Sequence, residues 1–320
     1  FLGVVAVGIF FVNGSGNQNL RARLDNSFSP DSGELSVASP PKIAFETIQP
    51  QAPLNRFVFL AENPGPLSFY PRETFTEQPV IEAEVGLIAD LETGEIYFSK
   101  NPEKRWPIAS ITKLFTAAAV LDEIDREKEI ALAPEDFSPE SSPSGLKIGD
   151  RFRARDLISA MLVASSNESA MALARHYGLN EFIVILNAKA IDWGLTDTFL
   201  SDPTGLSAAN QSTARDLTKA VQKIYNEYPE VFGVTAQPKT VIPELSRGEN
   251  IIVSSTNAFA GRLDFLGGKT GYTDEASGNL LSIFSYARRP ILVIVLGTSD
   301  RFGETEKLIT WFKHAFSPSS

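Results

Sequence analysis

The chain has 320 residues, 43% hydrophobic and 21% charged, which is apolar enough for a real core and long enough for roughly two domains. It carries 29 Lys and Arg against 39 Asp and Glu, a net charge of −10 with no basic block, so it is a poor candidate for binding nucleic acid. There are no cysteines and only two histidines, His176 and His314; this excludes disulfides, thiolate nucleophiles, iron–sulfur clusters and Cys- or His-rich metal sites, and a Ser-His-Asp triad would have to use one of those two.

Phe1–Val12 is uninterrupted apolar or Gly. Its twelve residues compare with about twenty for a bilayer span and about 7–15 for a signal-peptide core. With Phe in first place and no positive n-region, the segment reads as the remnant of a signal peptide or N-terminal anchor; a buried strand or helix is the alternative. No A-x-A-like cleavage site follows Val12, which favours an uncleaved anchor. Residues 13–78 read as a spacer. Gly, Ser, Asn and Gln fill 13–19, and prolines from Pro30 to Pro71 recur without apolar periodicity, a composition too poor in burial to offset its ordering entropy. Phe57–Leu60 is locally apolar and is a possible docking point.

The globular domain is expected over 79–320. Val85–Asp90 and Glu95–Phe98 are short strands around the turn Leu91-Glu-Thr-Gly94. Helical spacing follows over Ser110–Asp125, Ala154–Ala164, Glu168–Tyr177, Glu181–Trp193 and Thr213–Tyr228. Beyond Val231 the pattern returns to strands at Lys239–Ile242, Asn250–Ser255, Leu280–Tyr286 and Ile291–Gly297. Glu304–Phe316 closes the chain as an amphipathic, core-packing helix carrying Leu308, Ile309, Trp311, Phe312 and Phe316. This order predicts an α+β fold, an α/β sandwich whose antiparallel sheet combines N- and C-terminal strands around an inserted helical lobe. No internal repeat is present.

Three polar clusters carry the chemistry. In Ser110-Ile-Thr-Lys113 the three-residue spacing puts serine and lysine on one helical face, with Ser110 in the first turn, where free N–H groups favour negative charge. A serine hydroxyl needs a base, and lysine serves only with a lowered pKa; the apolar neighbours Trp106, Ile108, Leu114 and Phe115 favour that. A second Ser-x-x-Lys, Ser144-Gly-Leu-Lys147, lies in a Pro/Ser/Gly loop where this spacing aligns nothing. In Ser165-Ser-Asn167, a hydroxyl can relay a proton to a leaving amine and the amide can orient Lys113 or bind a peptide group; a helix N-cap is the plainer role for Ser165. Ser15-Gly-Asn17 and Ser277-Gly-Asn279 match the same short pattern. Lys269-Thr-Gly271 occurs once, on a strand-like stretch, and suits a substrate carboxylate. A nucleotide P-loop is excluded there, since Leu263 stands where its first glycine belongs and strand-like sequence follows.

Ser-x-x-Lys, Ser-x-Asn and Lys-Thr-Gly in this order form the signature of penicillin-binding proteins and serine β-lactamases. With Ile88-Ala-Asp90, Pro107-Ile-Ala-Ser-Ile-Thr-Lys113, Gly145-Leu-Lys-Ile-Gly-Asp150, Asp202-Pro-Thr-Gly-Leu206 and Ser212-Thr-Ala-Arg-Asp-Leu217, residues 79–316 resemble the low-molecular-mass D-alanyl-D-alanine carboxypeptidases, serine peptidase family S11. The resemblance implies the β-lactamase/DD-peptidase-like fold. It implies Ser110 as acyl-ester nucleophile, Lys113 as general base, Ser165 and Asn167 as the second wall, and Lys269 with Thr270 as the carboxylate site. The oxyanion hole would use the backbone N–H groups of Ser110 and Tyr272, the residue after Gly271. The implied partners are a peptidoglycan stem peptide ending in D-Ala-D-Ala and β-lactams that trap Ser110; no metal or organic cofactor is implied. An extracytoplasmic location follows, secreted or membrane-attached through the N-terminal segment. Glu168 stands where the family commonly has Asp. The layout is closer to single-domain members, some of which are endopeptidases that cut cross-links. A β-lactamase is the nearest rival, but the class A enzyme needs a glutamate where Leu200–Leu206 offers only Asp202. A non-catalytic wall-binding or β-lactam-sensing module is the remaining alternative.

Overall fold

The computed structural model describes residues 69–72, 77–139 and 144–318. The expected anchor, Phe1–Val12, and spacer residues 13–68 lie outside the described residues. The chain enters the fold at β1 (Phe69–Pro71) and continues into the hairpin of β2 (Val85–Asp90) and β3 (Ile96–Lys100). The Asp90 carboxylate accepts from the Glu92 and Thr93 amides at 2.8 and 3.2 Å and so closes the expected turn.

The helical lobe comprises α1 (Thr112–Glu123), α2 (Ala154–Val163), α3 (Asn167–Tyr177), α4 (Leu179–Asp192), α5 (Ala214–Glu227) and α6 (Pro229–Thr235). Helix α1 runs through the centre of the lobe, and every residue from Thr112 to Val120 is buried. Helix α6 stands where the sequence predicts a return to strands. Pro229 starts it, and its seven residues are too few to show a 3.6-residue period, while Val231 and Phe232 are buried as strand residues would be. A hairpin, β4 (Lys239–Glu244) and β5 (Glu249–Ser254), follows.

The remaining strands are β6 (Phe265–Thr273), β7 (Ser277–Tyr286) and β8 (Arg289–Thr298). They join the first hairpin in one antiparallel sheet of order β6-β7-β8-β2-β3, so strands from both ends of the domain pair around the lobe as predicted. Helix α7 (Arg301–Ala315) covers the sheet's other face. Along β8 the alternation is clean: Leu292, Ile294 and Leu296 pack in the lobe-side core, whereas Ile291, Val293 and Val295 pack with Leu308, Ile309 and Phe312 of α7. Each such fully buried side chain contributes about 1.5–3 kcal/mol. Burial on both faces is why β7 and β8 read as mostly apolar rather than alternating.

Part of the stretch expected as spacer packs against the domain. Strand β1 pairs with β9 (Phe316–Pro318), Phe69 against Pro318, and the buried Phe69 ring stacks on Tyr286 at 5.4 Å and meets Phe312 edge-on at 5.2 Å. A three-residue strand whose partner comes from the other end of the chain has no local periodicity to announce it.

Candidate active site

The site forms where the entry to α1 meets the edge strand β6. Before α1 the chain is held at three points: Trp106–Pro107 pairs with Gln211–Ser212, the Ile108 amide donates to the Asn210 carbonyl at 2.9 Å, and Asn279 Nδ2 donates to the Pro107 carbonyl at 2.8 Å. Ala109 then adopts a φ of +47°, a left-handed conformation that costs a non-glycine residue on the order of 1–3 kcal/mol and persists only under surrounding constraint. The next residue is Ser110, in a short 3-10 turn that runs into α1.

One turn on, Lys113 is 0% exposed. Its Nζ lies 2.8 Å from Ser110 Oγ, 2.7 Å from Asn167 Oδ1 and 2.6 Å from the Thr204 carbonyl. Burial pushes its pKa down from 10.5 to about 7, against the pull of the Asp202 and Glu168 carboxylates. The two amide-type oxygens can only accept. A neutral Lys113 therefore spends both N–H bonds on Asn167 and Thr204 and turns its lone pair to the Ser110 hydroxyl, which donates to it.

The second pair is Ser165 and Lys269. Ser165, at φ +58°, presents Oγ to Lys269 Nζ at 2.8 Å. The expected capping role belongs instead to Ser166, whose Oγ accepts from the Ser169 amide at 3.0 Å at the start of α3. Taking over the cap leaves the Ser165 hydroxyl to Lys269. Lys269 is 1% exposed on β6; burial, then the charges of Lys113 and Arg301, push its pKa well below the ordinary lysine value. Thr270 shares a hydrogen bond with Thr256, Oγ1 to Oγ1, at 2.7 Å. Tyr272 is 63% exposed and its hydroxyl donates to Asp274 at 3.3 Å.

Two glycines bring these elements together. A Cβ on Gly271 would stand 2.8 Å from the Ile108 carbonyl oxygen and 3.2 Å from the Ser110 amide nitrogen, so β6 can lie against the Ser110 backbone only with glycine there. Gly205, at φ +84°, sits still closer: its Cβ would fall 2.0 Å from the Ala109 carbonyl oxygen. Gly205→Ala is expected to displace Ser110 or Thr204 and slow β-lactam acylation by about 100-fold, the order of loss that a shift of ~1 Å produces. Stopped-flow labelling with a fluorescent penicillin measures it; unchanged kinetics would mean that this packing does not hold the site.

Several participants carry no motif. Asp202 gathers the loop under Lys113: Oδ1 accepts from the Thr204 amide, the Thr204 hydroxyl and the Gly205 amide at 2.6–2.7 Å, and Oδ2 from the Ser207 amide at 3.0 Å. That loop aims the Thr204 carbonyl at Lys113. In the sequence it shows outside the three motifs, through the turn chemistry of Asp-Pro-Thr-Gly and the part of Asp202–Leu206 in the family resemblance. Arg301 Nη1 donates to the Gly271 carbonyl at 2.8 Å and adds a second cation beside Lys269; neither it nor Thr256 has a local signal. In the loop copy, Ser144 is buried and donates to Glu168 at 3.4 Å, while Lys147 is exposed. His176 lies near Glu123 and Lys128 and His314 near Trp311, away from Ser110.

Two cavities flank Leu206 beside the site. One, of about 320 Å³, is lined by Asn167 and Thr204 among others; the second, of about 290 Å³, lies against Tyr272 and Thr273.

Residues 72–300 match the family model described as D-alanyl-D-alanine carboxypeptidase, peptidase S11. The chain is 31% identical over 253 residues to a D-alanyl-D-alanine endopeptidase of Pseudomonas aeruginosa, covering 76% of this chain and 81% of that protein. It is 29% identical over 242 residues to the D-alanyl-D-alanine carboxypeptidase DacB2 of Mycobacterium tuberculosis, covering 73% and 82%. Among solved structures, a D-alanyl-D-alanine carboxypeptidase from Mycobacterium tuberculosis H37Rv superposes with a TM-score of 0.68 at 25% identity, over 75% of this chain and 94% of that one. Ampicillin-bound penicillin-binding protein D2 from Listeria monocytogenes gives 0.66 at 28%, over 74% and 99%.

Proposed function

The chain belongs to the D-alanyl-D-alanine carboxypeptidase family of serine peptidases, and on that footing we propose that Ser110 is its acyl-ester nucleophile and Lys113 the general base. The enzyme is a serine-type D-Ala-D-Ala carboxypeptidase acting on peptidoglycan stem peptides. The observation that carries the assignment of the two residues is the fully buried Lys113 amine, 2.8 Å from Ser110 Oγ with two obligate acceptors on its other side.

In the first step Lys113 Nζ takes the Ser110 proton as Oγ attacks the carbonyl carbon of the penultimate D-Ala. The oxyanion is received by the Ser110 and Tyr272 backbone N–H groups, a role favoured by the close approach of β6 to Ser110 that Gly271 permits. The C–N bond then breaks. The leaving amine of D-Ala takes that proton from Lys113 through the Ser165 hydroxyl, which Lys269 holds at 2.8 Å, and Lys113 returns to its neutral form. Water then attacks the ester carbonyl, its proton passing to neutral Lys113; the acyl C–Oγ bond breaks, Lys113 returns the proton to Ser110 Oγ, and the shortened stem peptide is freed. Lys269, Thr270 and Arg301 receive the terminal carboxylate. A substrate carboxylate supplies a counter-charge beside Lys269 and so acts against the lowering of its pKa by burial. The Asn167 amide binds the acyl chain. β-Lactams acylate the same serine. Work on peptidoglycan belongs outside the cytoplasmic membrane, and the apolar segment Phe1–Val12 would hold the enzyme there; among the described residues no helix is long and apolar enough to cross a membrane.

Cleavage of cross-links is the second reading, favoured by two relatives, 31% and 30% identical, that are named D-alanyl-D-alanine endopeptidases. Incubating the full chain with a pentapeptide muropeptide and with a cross-linked dimer, followed by mass spectrometry, decides between them. Loss of one alanine from the monomer is the expected result. Splitting of the dimer with an intact monomer would establish the endopeptidase.

A further inference from the structure

Glu168 is a buried carboxylate that the steps above leave without a part. It is 3% exposed and follows Asn167 in the first turn of α3. Its Oε2 accepts from the Ser166 hydroxyl at 2.8 Å and from the Ser144 hydroxyl at 3.4 Å. Both of these partners are neutral, and no lysine or arginine forms an ion pair with Glu168 among the described residues. Burying a charge without a cation against it is costly, and a glutamine of the same shape could accept the same two hydrogen bonds at less cost. The hydrogen bonds alone therefore do not account for a carboxylate here.

The position of the charge does. Three successive side chains leave the turn before α3 in three directions: Ser165 Oγ to Lys269 Nζ at 2.8 Å, Ser166 Oγ to Glu168, and Asn167 Oδ1 to Lys113 Nζ at 2.7 Å. Ser166 donates to Glu168 and accepts from the Ser169 amide at 3.0 Å. It is thus fixed from both sides, between the two residues that face the reacting groups. Lys113 Nζ itself touches no carboxylate; its bonds go to Ser110, Asn167 and Thr204. Charge reaches it from one layer further out. Asp202 in the loop under Thr204 and Glu168 beside Asn167 both favour its protonated form, and Lys269 of β6, across Ser165, is a like charge to it.

We infer that Glu168 is a positioning residue of the acylation step: through Ser166 it fixes the turn that carries Ser165 and Asn167, and its charge steadies the ammonium that forms on Lys113. The inference rests on the reading of Lys113 as the base given above. Glu168 neither gives nor takes a proton. The proton passes from Ser110 Oγ to Lys113 Nζ and on through Ser165 to the leaving nitrogen, and the carboxylate stays ionised throughout. A negative charge there strengthens Lys113 as a proton acceptor, against the burial that weakens it. Without that charge the amine holds its proton less tightly, so the acid limb of acylation moves to lower pH and the weaker base gives a lower plateau.

The test measures acylation of the full chain by a fluorescent penicillin between about pH 5 and 9, with a thermal melt for each variant. Glu168→Gln keeps the size and an acceptor for Ser166 and removes the charge. It is expected to shift the acid limb down by about one pH unit and to lower the plateau by about fivefold. Glu168→Asp keeps the charge and should hold the limb within about 0.3 pH unit of the wild type, while its shorter reach to Ser166 lowers the plateau. A Glu168→Gln limb at the wild-type pH, or a Glu168→Asp limb that moves as far as that of Glu168→Gln, overturns the inference and leaves Lys113 as the base. If Glu168→Gln does not fold, Glu168→Asp is read alone: an unmoved limb upholds the inference and a displaced one overturns it. A flat wild-type profile overturns Lys113 as the base, and the inference with it.

Discussion

Ser110→Ala is expected to abolish covalent labelling by a fluorescent penicillin and to lower D-alanine release by at least about 10⁴-fold, because no acyl-enzyme can form without the Oγ nucleophile. The size of the effect follows from how the serine is held. Ala109 is kept in a strained conformation, Gly205 is packed under its carbonyl and Gly271 is against the Ser110 amide, so the neighbouring backbone offers no second hydroxyl in the same place. The substitution removes one oxygen and no large packing, so a thermal melt should move by only a few degrees. Ser144→Ala is the matched control: that serine also stands three residues before a lysine, but its hydroxyl is turned to Glu168 and Lys147 is exposed. It should label at the wild-type rate. Persistent labelling of Ser110→Ala, or its loss in Ser144→Ala, would refute the assignment.

The second large effect concerns Lys113. Acylation should rise tenfold per pH unit below about 7 and level off above it, because only the neutral amine accepts the serine proton and burial sets its pKa at about 7. The same shift acts on stability with a defined sign. A lysine that titrates at 10.5 when unfolded and at about 7 when folded binds more protons in the unfolded chain between those values. The fold therefore loses stability as pH falls from 10.5 towards 7. Lys113→Met is expected to cut acylation by about 10³-fold and to erase this pH dependence. It leaves Asn167 Oδ1 and the Thr204 carbonyl without their donor, so circular dichroism and a melt must accompany the kinetics. A wild-type profile flat between pH 6 and 8, in a folded protein, would remove Lys113 from the role of base.

Local spacing made much of this legible. A helix brings residues three apart onto one face whatever else the chain does, so Ser110 and Lys113 could be paired before any fold was known. The apolar runs of β7 and β8 and the hairpin at Asp90 were equally local. Helix α6 was missed because seven residues carry too short a pattern, and β1 because its partner lies at the far end of the chain. Of the two plain roles open to Ser165, an inter-helix turn or the cap of α3, the cap falls to Ser166, since the two serines have the same side chain and only the backbone decides which Oγ faces the Ser169 amide.

The sequence by itself thus determined the kind of chemistry: Ser-x-x-Lys, Ser-x-Asn and Lys-Thr-Gly in that order, in a chain with no cysteine and two histidines, carry a family resemblance that implies acyl transfer to a lysine-activated serine. Whether that lysine can act as a base was decided only by tertiary structure. Its two acceptors come from 54 and 91 residues away, its desolvation from a helix buried from Thr112 to Val120 and the segments packed on it, and the fit of its serine from Gly205 and Gly271 on separate segments. A pKa is set by everything that surrounds the group in space, and spacing along one helix reports only the part of that surrounding which is local.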